Sequence, residues 1–353
     1  MQISTVEVTP LELHLRLPYH TARHPPLDRV TTVFVRIETR QGQVAWGCAP
    51  CDPALPGGTV DEVTRACHAC ADRARDLNPL NTEHALDELA QVATGAPSAL
   101  CAFDVAFHDL LGLATGFPLY RLLGGYRERI QTSATIGIAP IAETVALAHD
   151  RARQGFRILK LKGGLDPQED VRRVRAVRRA LPHITLRLDA DQGYTVRQAL
   201  DVARALEGMI EFLEQPTPAA DLDALYQVAQ HSPVPILADE SVGEPASALH
   251  VATRRAAAGM SVKLAACGGL RCARQVDTIA RAAGMATMVT CVNEPALLTA
   301  AGLSFALSSP NVRYGDLDGH LDLADDPTMP GFLLEEGWLV ARDVPGLGCT
   351  VEL

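Results

Sequence analysis

Charged residues recur at a regular interval in the middle of the chain, each at the end of a short apolar run. The series consists of Lys162, Asp189, Glu214, Asp239 and Lys263, with Lys160 two residues before the first. The interval is about 25 residues throughout, and each apolar run is followed by a turn and an alanine- and arginine-rich stretch. This pattern is typical of a repeated strand–helix unit and places each charge at the carboxyl end of a strand. In a (β/α)8 barrel those ends converge on one face, so the series predicts an active site.

The three acidic residues of the series could form a metal site. Asp189, Glu214 and Asp239 offer hard oxygen ligands, which Mg²⁺ prefers and Mn²⁺ also accepts. No histidine cluster occurs at matching positions, so zinc and iron are disfavoured. The alternative is that the carboxylates merely pair with the lysines, but six charged residues in phase with one repeat favour a common site. We therefore predict a Mg²⁺ site.

Two lysines complete the predicted chemistry. Lys162 falls on the second predicted barrel strand and Lys263 on the sixth, on opposite sides of the metal. A lysine that is buried beside another cation loses proton affinity and can act as a base near neutral pH. A metal that faces two amines suits removal of a proton α to a carboxylate, because it stabilises the resulting enediolate. A base on each face would return the proton to the other side, so we predict racemisation or epimerisation.

The overall composition limits the class of protein. A barrel of about 250 residues plus a smaller domain would account for 353 residues. Hydrophobic residues make up 47% and charged residues 21%, which favours a folded core over disorder. The net charge of −10 argues against a nucleic-acid surface. No apolar run approaches the roughly 20 residues of a membrane span, and the N-terminus lacks the layout of a signal peptide. We expect a cytoplasmic protein without a membrane partner.

The pattern predicts an α/β fold in three parts. Residues 1–125 form an α+β capping domain, residues 126–320 a (β/α)8 barrel, and residues 321–353 two short extended pieces that pack back on the first part. Capping-domain strands are predicted at 3–17, 31–39 and 43–47, and helices near 60–76, 82–92 and 97–114. Eight strands, the number that closes a barrel, are predicted at 131–138, 157–162, 185–190, 210–214, 235–239, 260–265, 286–291 and 312–316.

Two CxxC pairs have a spacing that can mark a zinc site. They are Cys48/Cys51 and Cys67/Cys70, with 15 residues between them. The second pair lies within one predicted helix, where its members are ordinary neighbours. Zinc ribbons normally build their own small fold. We therefore interpret these cysteines as reduced core thiols.

Five motifs surround the charged series: KLKGG, LDADQGY, EQP, ADES and KLAACGG. Together they resemble signatures of the muconate-lactonizing-enzyme subgroup of the enolase superfamily, and the resemblance covers essentially the whole chain. It implies a barrel with an N-terminal capping domain that the C-terminal segment completes. It implies Mg²⁺ on the three carboxylates and an acid/base pair of Lys162 and Lys263. It further implies that Lys160 tunes Lys162, that Glu240 lies behind the metal ligands and that Glu294 is an acidic site residue.

Further candidates surround this centre. Thr135 shares the phase of the series, 25 residues before Lys160, and Arg23 lies in a loop expected to contact the substrate. Asp191 replaces the asparagine that the family usually has behind the metal and so adds negative charge. Cys48 and His320 are further departures, at positions where the family commonly has glutamate and proline.

The stretch after the eighth strand distinguishes the reactions of the subgroup. Asp316-Leu-Asp318 resembles the DxD motif by which dipeptide epimerases hold the α-ammonium of the substrate, although a solvated turn is an alternative. We therefore predict a Mg²⁺-dependent epimerase of dipeptides of the L-Ala-D/L-Xaa type. The alternatives are an N-acylamino acid or N-succinylamino acid racemase, an o-succinylbenzoate synthase and a muconate-type cycloisomerase. A non-catalytic protein with this fold is the weakest reading. The sequence leaves a homo-oligomer open.

Overall fold

A three-stranded antiparallel sheet covered by helices forms the N-terminal part of the protein. The computed structural model describes residues 1–23 and 25–353. The strands are β1 (Ile3–Tyr19), β2 (Leu27–Thr39) and β3 (Val44–Cys51), and the helices are α1 (Val60–Ala74), α2 (Thr82–Val92), α3 (Pro97–Thr115) and the short α4 (Leu119–Leu122). Helix α3 packs closely on the sheet because Gly47 has no Cβ, which would lie 1.8 Å from the carbonyl oxygen of Ala102.

The second part is a barrel of eight parallel strands in sequence order, preceded by the short strand β4 (Arg129–Gln131). Its strands are β5 (Ala134–Ile136), β6 (Ile158–Lys162), β7 (Thr185–Asp189), β8 (Leu213–Glu214), β9 (Ile236–Ala238), β10 (Gly259–Lys263), β11 (Ala286–Thr290) and β12 (Val312–Asp316). Its helices are α5 (Ile141–Arg153), α6 (Pro167–Ala180), α7 (Val196–Ala205), α8 (Leu222–His231), α9 (Pro245–Arg254), α10 (Leu264–Cys267), α11 (Leu270–Ala282) and α12 (Ala296–Ser308). A parallel bridge joins Gly315 of β12 to Thr132, which lies two residues before β5. The predicted α/β barrel with a capping domain is confirmed.

The C-terminal segment joins the two parts. It begins with a 3₁₀ turn (Gly319–Asp322), and then β13 (Thr328–Met329) pairs with β16 (Thr350–Val351). Strand β14 (Phe332–Glu335) pairs with β15 (Trp338–Ala341), and β15 pairs with β4. Backbone hydrogen bonds also connect the segment to the capping domain, between Gly346 and Phe117 at 2.9 Å and between Ala324 and His14 at 2.8 Å. The segment contains four short strands where two extended pieces are predicted.

Several strand limits differ from the predicted ones. Strands β1 and β2 pair as far as Tyr19 and Leu27, so they occupy part of the predicted loop. The predicted strand 131–138 is divided into β4 and β5. The division occurs at Thr132, whose N–H donates to the carbonyl of Gly337 in the C-terminal segment, so the chain changes from one sheet to another there. Strand β3 continues to Cys51 because it pairs with β2 along its whole length.

Helix α3 is the helix, among the described residues, that is long and apolar enough to cross a membrane. The sequence predicts no such run, and α3 corrects that expectation by its length and composition. Of its most apolar stretch, 72% is buried inside the protein, as in the core helices of globular proteins. The cysteines of α1 also belong to this core: Cys67 and Cys70 are buried, and burial raises the pKa of the Cys70 thiol to about 12.

Candidate active site

Three carboxylates meet at the carboxyl ends of neighbouring barrel strands. Asp189 ends β7, Glu214 ends β8 and Asp239 directly follows β9. The parallel register pairs Asp189 with Glu214, and one oxygen from each of the three residues lies within 4.8 Å of the others. All three side chains are buried. The three carboxylates therefore lie close together, as the sequence predicts.

This cluster has the properties of a divalent-cation site. Burial raises the pKa of Glu214 to about 8, because a carboxylate is costly to ionise away from water and beside other carboxylates. Oε2 of Glu214 is buried and makes no hydrogen bond with the described residues, although Lys160 Nζ lies 2.8 Å away. Three hard oxygen ligands, with more negative charge than Lys160 alone compensates, suit a cation such as Mg²⁺. The residues present therefore fit the metal.

Lys160 lies beneath the carboxylates and connects them to the far side of the barrel mouth. Its buried Nζ is 3.0 Å from Asp189, 2.8 Å from Glu214 and 2.7 Å from Asp316. Burial lowers the pKa of Lys160, but the facing carboxylates outweigh that effect and raise it. Lys160 is therefore a fixed positive charge.

Lys162 and Lys263 enter the site from opposite sides. Lys162 ends β6 and Lys263 ends β10, with β7, β8 and β9 between them in an eight-stranded barrel. Lys162 Nζ is 2.8 Å from Asp189 and 2.9 Å from Asp191, and Lys263 forms an ion pair with Asp239. Both lysines line one cavity, so a bound molecule can have an amine on each face.

The proton affinity of the two lysines differs from the prediction. Burial lowers the pKa of Lys162, but Asp189 and Asp191 outweigh it, and Lys160 lowers it to a smaller extent. Burial likewise lowers the pKa of Lys263, and Asp239 and Glu240 outweigh it. The chain's own residues therefore hold both lysines as ammonium groups. A lower pKa for either lysine, as the sequence predicts, therefore requires a positive charge that the chain itself does not supply.

The cavity lies between the barrel mouth and the capping domain. Its volume is about 340 Å³, within the range of small-molecule sites. The barrel contributes Thr135, the three lysines, Asp191, Asp316 and Asp318, and the capping domain contributes residues of β1, β2 and β3 and the loops after them, including Tyr19, Arg23, Leu27 and Pro50. The barrel thus supplies the charged floor, and the capping domain supplies most of the wall.

Asp316, at the end of β12, is fully engaged with the protein. Its carboxylate accepts hydrogen bonds from Lys160 at 2.7 Å, from the Ser133 hydroxyl at 2.5 Å and from the Thr290 hydroxyl at 2.7 Å. Burial raises its pKa, but Lys160 and the two hydroxyls outweigh that effect and lower the pKa to about 2. Asp316 is therefore an anion whose oxygens hold Lys160 in place.

Asp318, two residues later, has a different environment. It accepts hydrogen bonds from the backbone N–H of Thr135 at 2.5 Å, the Thr135 hydroxyl at 3.3 Å and the Cys291 thiol at 3.7 Å. These partners are all neutral. Burial and the nearby Asp316 and Asp322 raise the pKa of Asp318 to about 7. The predicted pair is thus unequal, and Asp318 is the member that can gain most from an added positive charge.

Two further candidates lie on or near the cavity wall. Arg23 lines the cavity, and its guanidinium is 2.6 Å from Glu240, the residue after Asp239. Burial raises the pKa of Glu240 to about 7. Glu294 is 3% exposed and is not among the described residues that line the cavity. Its carboxylate accepts a hydrogen bond from the N–H of Val292 at 3.4 Å, and burial raises its pKa to about 8.

Asp191 adds the negative charge that its sequence position predicts. Its backbone φ is 44°, a left-handed conformation that asparagine and aspartate adopt more readily than most residues. This turn lets its N–H donate to Asp189 at 3.1 Å while its carboxylate accepts from Lys162. Burial, together with Asp189, raises the pKa of Asp191 despite the opposing effect of Lys162.

Sequence reasoning missed several polar residues that orient the charged ones. The hydroxyl of Ser261 donates to Glu214 at 2.7 Å, and the side-chain oxygen of Gln215 accepts from the N–H of Asp239 at 2.8 Å. Ser261 precedes Lys263 by two residues on β10, so strand alternation could have placed it on the same side. Ser133 carried no such signal.

Comparison with known proteins agrees with this arrangement. Residues 3–124 match the mandelate racemase/muconate lactonizing enzyme N-terminal domain, and residues 143–352 match the enolase C-terminal domain-like family. The L-Lys-D/L-Arg epimerase of Methylococcus capsulatus is 37% identical, with 99% of each chain covered.

Solved structures agree equally well. The substrate-liganded L-Ala-D/L-Glu epimerase of Bacillus subtilis is 32% identical, with a TM-score of 0.97 and 100% of each chain covered. The dipeptide epimerase of Enterococcus faecalis, complexed with Mg and L-Leu-L-Tyr, is 30% identical, with a TM-score of 0.96 and 99% of this chain and 100% of that chain covered. The chain therefore belongs to the mandelate racemase/muconate lactonizing enzyme family of the enolase superfamily.

Proposed function

We propose that the protein is a Mg²⁺-dependent dipeptide epimerase, an isomerase that inverts the α-carbon of the C-terminal residue. The observation that carries this proposal is the position of Asp318. It is a buried carboxylate whose hydrogen-bond partners among the described residues are all neutral, and it lines the same cavity as Lys162 and Lys263. A dipeptide has the two charged ends that this cavity can bind: a carboxylate for the metal end and an ammonium for Asp318.

Lys162 and Lys263 transfer the proton. When Lys162 enters as the neutral amine, it takes the α-proton from one face of the substrate, and Lys263, entering as the ammonium, donates its proton to the opposite face. The two lysines have then exchanged protonation states, and the α-carbon is inverted. The reverse assignment converts the other epimer. A divalent cation on Asp189, Glu214 and Asp239 would stabilise the negative charge that develops on the substrate carboxylate and oppose the effect of these aspartates on the lysines.

Asp318 favours a dipeptide over an N-acylamino acid. A charge-assisted hydrogen bond to a substrate ammonium contributes roughly 1.5–3 kcal/mol. An N-acyl or N-succinyl amino acid lacks this cation, and its amide or carboxylate would leave the buried carboxylate unpaired or repelled. This supports epimerisation of dipeptides over N-acylamino acid racemisation, o-succinylbenzoate synthesis and muconate-type cycloisomerisation.

The acidic and basic side chains near the cavity wall form ion pairs with each other. Arg151 lies 2.5 Å from Asp322, Arg23 lies 2.6 Å from Glu240, and Arg29 lies 3.1 Å from Glu12. These pairs do not select one charge of substrate side chain. The relative from M. capsulatus is named for Lys and Arg substrates, so basic dipeptides belong in the range to be tested beside those of the L-Ala-D/L-Xaa type.

A dipeptide library in deuterated water tests the proposed function. The purified protein with Mg²⁺ should incorporate deuterium at the α-carbon of the C-terminal residue and accumulate the epimer, as measured by NMR and mass spectrometry. The library includes Arg- and Lys-containing dipeptides. Exchange confined to N-acyl or N-succinyl amino acids, with none in any dipeptide, would replace this proposal by the racemase alternative.

Three features stay predictions. The division of the chain at residues 125 and 320 rests on the pattern of elements, and the cytoplasmic location rests on composition. The formation of a homo-oligomer is the third.

A further inference from the structure

Cys291 lies on the cavity wall directly after β11, beside Asp318. Its thiol donates to Oδ1 of Asp318 at 3.7 Å, and its sulfur accepts the backbone N–H of Gly319 at 3.2 Å. The same side chain therefore contacts the carboxylate and the backbone of the following residue. Thr135 contacts this carboxylate through its backbone N–H and its hydroxyl.

The backbone after Asp318 keeps this contact in place. A Cβ on Gly319 would lie 2.0 Å from the carbonyl oxygen of Val292 and 3.2 Å from the sulfur of Cys291. Because glycine has no Cβ, the turn after Asp318 packs directly on the two residues after β11. Backbone packing therefore holds Cys291 and Asp318 next to each other.

The thiol keeps its proton in this environment. Burial raises the pKa of Cys291 well above the usual value, and the facing Asp318 raises it further. At neutral pH the S–H group is thus present as a hydrogen-bond donor to the carboxylate.

We propose that Cys291 is a positioning residue of the substrate-ammonium site. It holds Oδ1 of the Asp318 carboxylate together with the Thr135 hydroxyl, while the Thr135 N–H holds Oδ2. This inference rests on the proposed function, in which Asp318 binds the ammonium. Cys291 does not itself contact the reacting atoms. Its role is to fix the direction in which Asp318 presents its free lone pairs to the ligand.

Substitution of the thiol tests this role with free and N-acetylated dipeptides. Loss of one neutral hydrogen bond in Cys291→Ala should raise KM for free dipeptides roughly threefold to tenfold, with kcat little changed. Cys291→Ser keeps a donor and should restore most of the loss. The N-acetylated dipeptide, which has no ammonium, should be affected far less. An equal loss for both substrates that serine does not restore would show that Cys291 only fills space.

Cys51 offers a matched control. It is a second thiol on the cavity wall, but its sulfur donates to the carbonyl of Ala49 at 3.9 Å instead of a carboxylate. Cys51→Ala should therefore leave the ratio of free to acetylated turnover close to that of the parent. A change in this ratio as large as that of Cys291→Ala would contradict the assignment.

The pH profile gives a readout that packing alone would not change. The charged and titratable groups around Asp318 are Asp316, Asp322, Arg151, Tyr19 and Glu294, and none of them is altered in Cys291→Ala. A lost donor disfavours the carboxylate form, so the acid limb of kcat/KM should move to higher pH in Cys291→Ala and return in Cys291→Ser. An unmoved limb in both would overturn the proposal.

Alkylation tests the contact independently of any substrate. Asp318→Asn removes the carboxylate that faces the thiol, so iodoacetamide should modify Cys291 several-fold faster, relative to Cys51 in the same digest. An unchanged ratio would overturn the contact. If no dipeptide is turned over by the parent but the ratio changes, the proposed function fails while the contact between Cys291 and Asp318 stands.

Discussion

The barrel mouth has two groups of carboxylates, one of three residues and one of two, and they differ in the positive charge that compensates them. Asp189, Glu214 and Asp239 bring three oxygens within 4.8 Å of one another, which a multivalent cation can compensate. In the second group, burial raises the pKa of Asp316, but Lys160 and two hydroxyls outweigh burial and lower it to about 2. Burial raises the pKa of Asp318 to about 7. The difference shows that similar acids at similar strand ends have different surroundings. Asp316 pairs with a lysine of the chain, whereas the proposed function assigns a metal ion to the first group and a substrate ammonium to Asp318.

Lys160 makes the two groups interdependent. It contacts Asp189 and Glu214 on one side and Asp316 on the other. A change at Asp316 is therefore expected to affect the metal end through Lys160, whereas a change at Asp318 should affect the ammonium end alone.

The largest effect is expected at the metal end. Asp189→Ala, Glu214→Ala and Asp239→Ala should each lower kcat/KM at least about 1000-fold, because losing one of three anionic ligands removes several kcal/mol of transition-state stabilisation. EDTA should abolish activity in the parent. Calorimetry with Mg²⁺ should show weakened binding in each variant, with Asp223→Ala as an exposed control. Full activity in a metal-free preparation would refute the mechanism.

A smaller and more selective effect is expected at the ammonium end. Asp318→Asn should lower kcat/KM for free dipeptides at least about tenfold, since a charge-assisted hydrogen bond is worth at least 1.4 kcal/mol. Turnover of N-acetylated dipeptides should change little. Asp316→Asn should impair both substrates alike, because it frees Lys160 instead of removing a substrate contact. If Asp316→Asn and Asp318→Asn change the ratio of free to N-acetylated dipeptide turnover equally, the two aspartates act as one pair.

The smallest effect is expected from pH. Below pH 7 the free carboxyl of Asp318 is increasingly protonated and neutral, because its pKa is raised to about 7 by burial. The value of kcat/KM for free dipeptides should therefore fall as the pH decreases through 7 and then level off, by no more than the loss that Asp318→Asn causes. The limb should be absent in the residual activity of Asp318→Asn. If the acid limb persists in Asp318→Asn, another titrating group causes it.

The sequence predicted the charged floor of the site better than its wall. Lys162, Asp189, Glu214, Asp239 and Lys263 are all at strand ends, because strand alternation and the repeat length fix their places together. The inequality of Asp316 and Asp318 could not be predicted, since it depends on which of two identical side chains reaches Lys160.

The remaining contacts depend on distant parts of the chain. Arg23 meets Glu240 across 217 residues, and Ser133 meets Asp316 across 183. Such pairs carry no local signal in one sequence. The wall was likewise beyond prediction, because the extension of β1 and β2 into the predicted loop comes from cross-strand pairing.

The central claim, two bases on opposite faces, is tested most directly by α-proton exchange in Lys162→Ala and Lys263→Ala. Each variant, with Mg²⁺, would be incubated in deuterated water with the separate L,L and L,D epimers of one dipeptide, and deuterium at the α-carbon would be followed by NMR. We expect each variant to exchange one epimer only, the two variants to have opposite preferences, and neither to epimerise. Epimerisation at near the parent rate in either variant, or the same preference in both, would contradict the two-base account.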